Sequence, residues 1–204
     1  MSHSCSNSHI RMQLLTAILV VFLYTSCVQR EVESEKVVQL HWYMHDTPFN
    51  GPNASSIPVT GYNASDFQNE LAHFLRGQIY LFDDPLTQGP SLTSATFGRS
   101  QGTYSYVSRE ELVSYVSYTV SIRSGEYNGS TLNILGVNPE SKTIKEYSIV
   151  GGTGQFRRAT GNLEEEIVNV FGAFNFSATL SENATIYLPE DTNFTFKKPA
   201  SLVE

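Results

Sequence analysis

The residues able to do chemistry in this chain are few, and most of the familiar arrangements are missing. His41 and His45 stand four apart, a spacing that pairs zinc ligands on a helix. On a strand they share a face but lie roughly 13 Å apart, too far for one ion, so no metal site is expected. Gly151-Gly152-Thr153-Gly154 has the look of a phosphate loop, yet no Lys-Ser/Thr follows it. It reads better as a tight turn. No Gly-x-Ser-x-Gly elbow accompanies the histidines, and no redox cofactor signature is present, so no cofactor is expected. What remains is a set of polar residues within or at the ends of apolar stretches: Asp46, Asp83, Asp84, Arg99, Gln101, Tyr104 and Tyr106. Carboxyls and phenols in apolar surroundings hold or pass protons.

Strands must position them. In Glu111–Arg123, Val116, Tyr118, Val120 and Ile122 alternate with Ser117, Thr119 and Ser121, a period of two. Similar runs occur at Val37–His45, Gln78–Phe82, Thr103–Val107, Thr131–Leu135, Tyr147–Val150, Leu163–Val170, Phe174–Leu180 and Thr185–Leu188. Turn signals separate them: Asn50-Gly51-Pro52, Asp83-Asp84-Pro85, Asn128-Gly129, Asn138-Pro139 and Gly151-Gly152. Only Asp66–Phe74 suggests a helix. Many short strands in one domain mean a sandwich or a barrel, and periodicity alone does not choose between them. In this 204-residue chain, the net charge of −7 and the lack of a basic face argue against nucleic acid. Two cysteines, Cys5 and Cys27, exclude a disulfide scaffold.

The N-terminus reads as an address. Arg11 precedes an apolar run from Leu14 to Tyr24, and the small residues Thr25, Ser26 and Cys27 follow. A membrane span needs roughly 20 apolar residues, so residues 1–26 read as a cleaved signal peptide. Sequons stand at Asn53, Asn63, Asn128, Asn175, Asn183 and Asn193. The expectation is a secreted glycoprotein of the extracellular space, with no membrane association after cleavage. Its domain would span 37–188, followed by a C-terminal extension over 189–204.

Five ordered segments resemble the dirigent family of plants. They are Leu40–Asp46, Phe82–Thr87, Gly98–Tyr104, Thr131–Gly136 and Ser148–Phe156, with Ala159 and Gly161 in the family's place. The resemblance implies an all-β, eight-stranded antiparallel β-barrel, related to allene oxide cyclase, that assembles as a homo-oligomer, a dimer or trimer. It implies steering of phenoxy radicals of a monolignol such as coniferyl alcohol into one stereoisomer in lignan biosynthesis, with radicals from a separate laccase or peroxidase. Alternatives are a quinone-methide cyclase, or a defence-related barrel that binds a phenolic, carbohydrate or wall partner. The chain's own chemistry would be at most acid-assisted cyclisation.

By the same resemblance, Asp46 is a proton donor to a quinone methide and Tyr104 orients the phenolic oxygen. Asn138 stands where lignan-forming members carry Asp, and Lys145 where they carry Arg. These four form the expected catalytic set, and His41, Arg99, Tyr106 and Thr153 the expected substrate contacts. Arg99, Asp83 and Asp84 also suit a framework role, as an ion pair or turn support.

Overall fold

The computed structural model describes residues 35–48, 53–60, 76–171 and 177–189. The expected signal peptide over 1–26, the Asn50-Gly51-Pro52 turn signal, the Asp66–Phe74 segment, Asn63, Asn175, Asn193 and the tail beyond Pro189 lie outside these residues. Nine strands follow in chain order: β1 (Glu35–Asp46), β2 (Ser56–Pro58), β3 (Ile79–Thr87), β4 (Thr96–Tyr106), β5 (Val113–Ile122), β6 (Thr131–Pro139), β7 (Ile144–Thr153), β8 (Thr160–Phe171) and β9 (Ser177–Pro189).

They pair antiparallel in the order β1-β9-β8-β7-β6-β5-β4-β3, and β1 closes the ring on β3 through Tyr43↔Thr87 and Met44↔Leu86. The result is a closed eight-stranded barrel, with β2 added along β3. Closure removes the exposed edges that so many apolar strands would otherwise present. The seam is short, whereas β1 pairs with β9 along its whole length, from Glu35↔Pro189 to Asp46↔Ala178.

Several sequence boundaries shift. Phe174–Leu180 and Thr185–Leu188 belong, within the described residues, to the single strand β9, because Glu182 between them points inward in phase with Leu180 and Ala184. Asp83-Asp84-Pro85 is no turn but the middle of β3, with Asp84 buried. Asn138-Pro139 ends β6, and Gly151-Gly152 lies within β7. Asn128-Gly129 does turn between β5 and β6, with Gly129 at φ 85°.

The two ends of the interior differ. Towards one end apolar side chains fill it: Trp42 stacks on Phe97 at 5.0 Å, and Val120, Leu132, Leu163 and Ile186 are fully buried around them. A short 3₁₀ helix, Gly154–Phe156, buries Phe156 against Tyr127. Towards the other end the interior is lined by tyrosines and carboxyls, and it stays open. Gly102 is needed for this packing. A Cβ there would stand 2.3 Å from the Ser117 carbonyl oxygen and 2.4 Å from Tyr118 Cβ, so only glycine lets the Tyr118 strand close on β4.

Candidate functional site

The open end holds a cavity of about 600 Å³. This is within the range of small-molecule pockets. Period two delivers its lining, since each strand turns alternate residues inward: Asp46 from β1, Tyr80, Phe82 and Asp84 from β3, Tyr104 and Tyr106 from β4. Tyr118 comes from β5, Asn138 from β6, Lys145 and Tyr147 from β7 and Glu165 from β8, while Glu140 follows β6.

One wall is aromatic. Tyr80 and Tyr104 stack at 4.7 Å with planes 6° apart, and Tyr106 meets both edge-on. Phe82 packs against Tyr104 and Tyr118, and Tyr118 against Tyr147. Such a wall suits a flat aromatic ligand.

Beside this wall, where β3 meets β1, is a pair of acids at the seam. Continuing the Met44↔Leu86 register by two residues sets Asp46 opposite Asp84. The β2 region staples the two strands: Ser55 N–H donates to Thr47 O, and Asp83 N–H donates to Ser55 O. Ser55 Oγ accepts from Thr47 N–H at 2.8 Å and donates to Asp46 Oδ1 at 3.4 Å. The next residue, Ser56, meets Tyr104 Oη at 3.3 Å. Asp84 is 2% exposed, and its Oδ1 has no hydrogen-bond partner, nor does Asn138 Oδ1.

Burial sets the protonation of this pair. It pushes Asp46 up to about 6, with the Glu140 charge adding and the Ser55 hydroxyl opposing. Burial, and then the Asp46 charge, push Asp84 up to about 8. Near neutral pH the pair therefore shares a proton between its two carboxyls, so a donor and an acceptor stand together. Burial also raises both tyrosines, Tyr106 to about 12, which keeps the phenols protonated and able to donate.

Beneath the pocket runs a second polar group. Fully buried Glu182 accepts from Trp42 Nε1–H and, at 3.0 Å, from Tyr118 Oη–H. Tyr147 Oη–H donates to Glu165 Oε1 at 3.1 Å. Burial, and then the charge of Glu165, raise Glu182 to about 8. Burial raises Glu165 to about 7 against the pull of Lys145 and Tyr147. Lys145 Nζ lies 3.7 Å from both Glu140 Oε2 and Glu165 Oε1.

The sequence-based candidates divide into two sets. Asp46, Tyr104, Tyr106, Asn138 and Lys145 all line the cavity. His41, Arg99 and Thr153, expected as substrate contacts, do not. His41 bonds Ser181 at 3.1 Å on the outer face. Arg99 holds Asp83, through Nε to Oδ1 at 2.5 Å and Nη2 to the carbonyl at 2.8 Å. Thr153 meets Thr131 at 2.7 Å on the exterior, because an extra residue at Val150 shifts the register of β7 against β6 and reverses its facing. His45 is packed between Thr87 and Thr179.

Sequence reasoning missed Glu165 and Glu182, and it placed Asp84 only in a framework role. The signal was present. Glu165 is in phase with buried Leu163, Glu182 with Leu180 and Ala184, and Asp84 with Tyr80 and Leu86.

The family model for Dirigent-like protein matches residues 37–186. Pterocarpan synthase 1 of Glycyrrhiza echinata is 39% identical over 139 residues, 68% of this chain and 71% of that protein. Dirigent protein 1 of Arabidopsis thaliana is 34% identical over 148 residues, covering 72% and 79% of the two chains. Two solved structures of pterocarpan synthase dirigent proteins superpose with TM-scores of 0.66 and 0.65, at 34% and 35% identity. Each match covers 76% of this chain, with 86% and 97% of the respective partner. Barrel, ordered motifs and relatives agree: the chain belongs to the dirigent family.

Proposed function

We propose that this barrel holds a phenolic quinone methide against its tyrosine wall and passes it a proton as an internal hydroxyl closes a ring. The observation that carries the proposal is the Asp46–Asp84 pair, two raised acids side by side at the seam of an apolar, aromatic cavity. In the reaction, a hydroxyl oxygen of the ligand bonds to the methide carbon while the ring regains aromaticity. The quinone oxygen gains a proton and the attacking hydroxyl loses one. No oxidant is consumed, and the pair keeps one proton in total. That proton ends on the opposite carboxyl and returns by exchange within the pair before the next turnover. Stereochemistry comes from the wall, which presents one face of the methide to the attacking oxygen.

The name of the Glycyrrhiza echinata relative, a pterocarpan synthase, favours ring closure. Radical coupling of coniferyl alcohol, with radicals from a separate laccase or peroxidase, also yields quinone methides and would draw on the same pair. Secretion, glycosylation at the exposed Asn53, Asn128 and Asn183, and homo-oligomerisation belong to the same proposal.

The test compares parent, Asp46→Asn and Asp84→Asn on two substrates by chiral chromatography. One is a phenolic benzylic alcohol that loses water to a quinone methide. The other is coniferyl alcohol with fixed laccase. Enantiomeric excess with the parent, lost in both folded variants, supports the reading. Undiminished selectivity in both variants refutes the proton transfer. Racemic products from a parent that binds ligand would reduce the molecule to a binding barrel.

A further inference from the structure

Lys145 is the only cation lining the cavity among the described residues, and its ammonium is already engaged. Glu140 and Glu165 hold it at 3.7 Å each, with its side chain 4% exposed. The internal segments outside the described residues, 49–52, 61–75 and 172–176, contain no Lys or Arg. Against this one neutralised cation stand the lining carboxyls Asp46, Asp84, Glu140 and Glu165, with Glu182 beneath them. Two fully buried lining oxygens without a partner, Asp84 Oδ1 and Asn138 Oδ1, suit donors on the ligand.

We infer that this cavity selects phenolic ligands by charge, accepting neutral, hydroxyl-bearing molecules and rejecting those that carry a carboxylate. Placing an anion here buries a charge with no free lining cation among the described residues to pair it and adds to the carboxylates present. A ligand acid enters only in its neutral form. Its apparent affinity then falls tenfold for each pH unit above its own pKa, because the competent fraction falls by that factor. The tyrosines facing the ligand are protonated throughout this range. The lining acids Asp46, Glu165 and Asp84, which lose protons across it, repel an anion more as pH rises and so act in the same direction. This inference rests on the proposed phenolic pocket and names the substrate class that the pocket admits.

The test uses 4-hydroxy-3-methoxycinnamyl alcohol and 4-hydroxy-3-methoxycinnamic acid, which differ only in the terminal group. Calorimetric titration of the full chain at pH 6, 7 and 8 is expected to show the alcohol's Kd changing less than about threefold. The acid's Kd should weaken about tenfold per unit. The Glu140→Gln/Glu165→Gln variant, which frees Lys145, should lower the ratio of the acid's Kd to the alcohol's Kd at pH 8 at least about tenfold relative to the parent. A melting curve confirms its fold, and Glu140→Gln alone, at the more exposed partner, serves if the double variant does not fold. Equal binding of acid and alcohol at pH 8 by the parent overturns charge selection and leaves the phenolic pocket standing. Binding of neither overturns both.

Discussion

Replacing Glu182 with Gln should change how stability depends on pH more than it changes stability itself. Glu182 is fully buried, and its carboxyl is raised from 4.5 to about 8 by burial and by Glu165. A rise of that size corresponds to about 5 kcal/mol of preference for the neutral form in the folded chain. Below pH 4.5 folded and unfolded chains both hold the proton, and Glu182 contributes no pH dependence. Between 4.5 and 8 the unfolded chain has lost it and the folded chain has not. Stability therefore falls as pH rises, by up to about 1.4 kcal/mol per unit from this group, and levels off above 8. Glutamine keeps one oxygen to accept from Trp42 Nε1–H and offers an amide donor to Tyr118, whose hydroxyl can rotate to accept. At pH 5 the variant should lie within about 1 kcal/mol of the parent, the scale of one rearranged hydrogen bond. At pH 8 it should be more stable by a few kcal/mol, with the two profiles diverging in between. Urea unfolding at pH 5, 6, 7 and 8 measures this, and Trp42, the single tryptophan, reports from beside the substituted group. Parallel profiles would show that Glu182 is ionised in the folded barrel and would refute the reasoning.

Gly102→Ala should cost about 3 kcal/mol, because the added methyl collides with β5 backbone that cannot retreat without opening the ladder; thermal melting checks it. Val120→Asp should cost about 4 kcal/mol or prevent folding, since Val120 is fully buried and an unpaired carboxylate would enter the apolar end. Wild-type stability in that variant would mean the facing of β5 is misassigned. Material secreted from a plant host should begin near residues 26 to 28 and lose mass on enzymatic deglycosylation, with Asn53, Asn128 and Asn183 as exposed acceptors. Mass spectrometry showing Met1 to Tyr24 retained, or no mass loss, would contradict it.

Facing was the most legible feature of the sequence. Val116, Tyr118, Val120 and Ile122 alternate with polar residues, and all four are buried. The same rule, carried through the charged residues, reaches further than composition does. Ser181-Glu182-Asn183 breaks the apolar run by residue type but keeps its phase, so β9 continues and Glu182 goes inside. Asp83-Asp84-Pro85 has turn composition, yet its phase with Tyr80 and Leu86 carries β3 through it. Phase also counts against His41, which alternates with Trp42 and faces outward. Thr153 could not be placed this way. The extra residue at Val150 reverses the facing of β7, and nothing local in the sequence marks it. Closure came from the family resemblance and not from the periodicity, because the β1–β3 seam joins residues more than forty positions apart through two pairs. Its register decides that Asp46 meets Asp84.

That register explains why the acids sit at the seam. The β1–β9, β3–β4 and β4–β5 ladders run long, and adjacent inward side chains there are held by near-continuous backbone pairing. Between β1 and β3 the ladder stops after Met44↔Leu86, and the β2 region takes over, bringing two serine hydroxyls where two more rungs would have been. Those hydroxyls reach Asp46 and Tyr104 from outside the ring, while the tyrosine wall and Glu165 enclose the pair from within. At the seam, burial raises both acids, and the serine contact pulls against it on Asp46 and Asp84 alike. The pair consequently changes protonation on either side of neutrality, at about 6 and about 8, the range in which the proposed proton transfer would run.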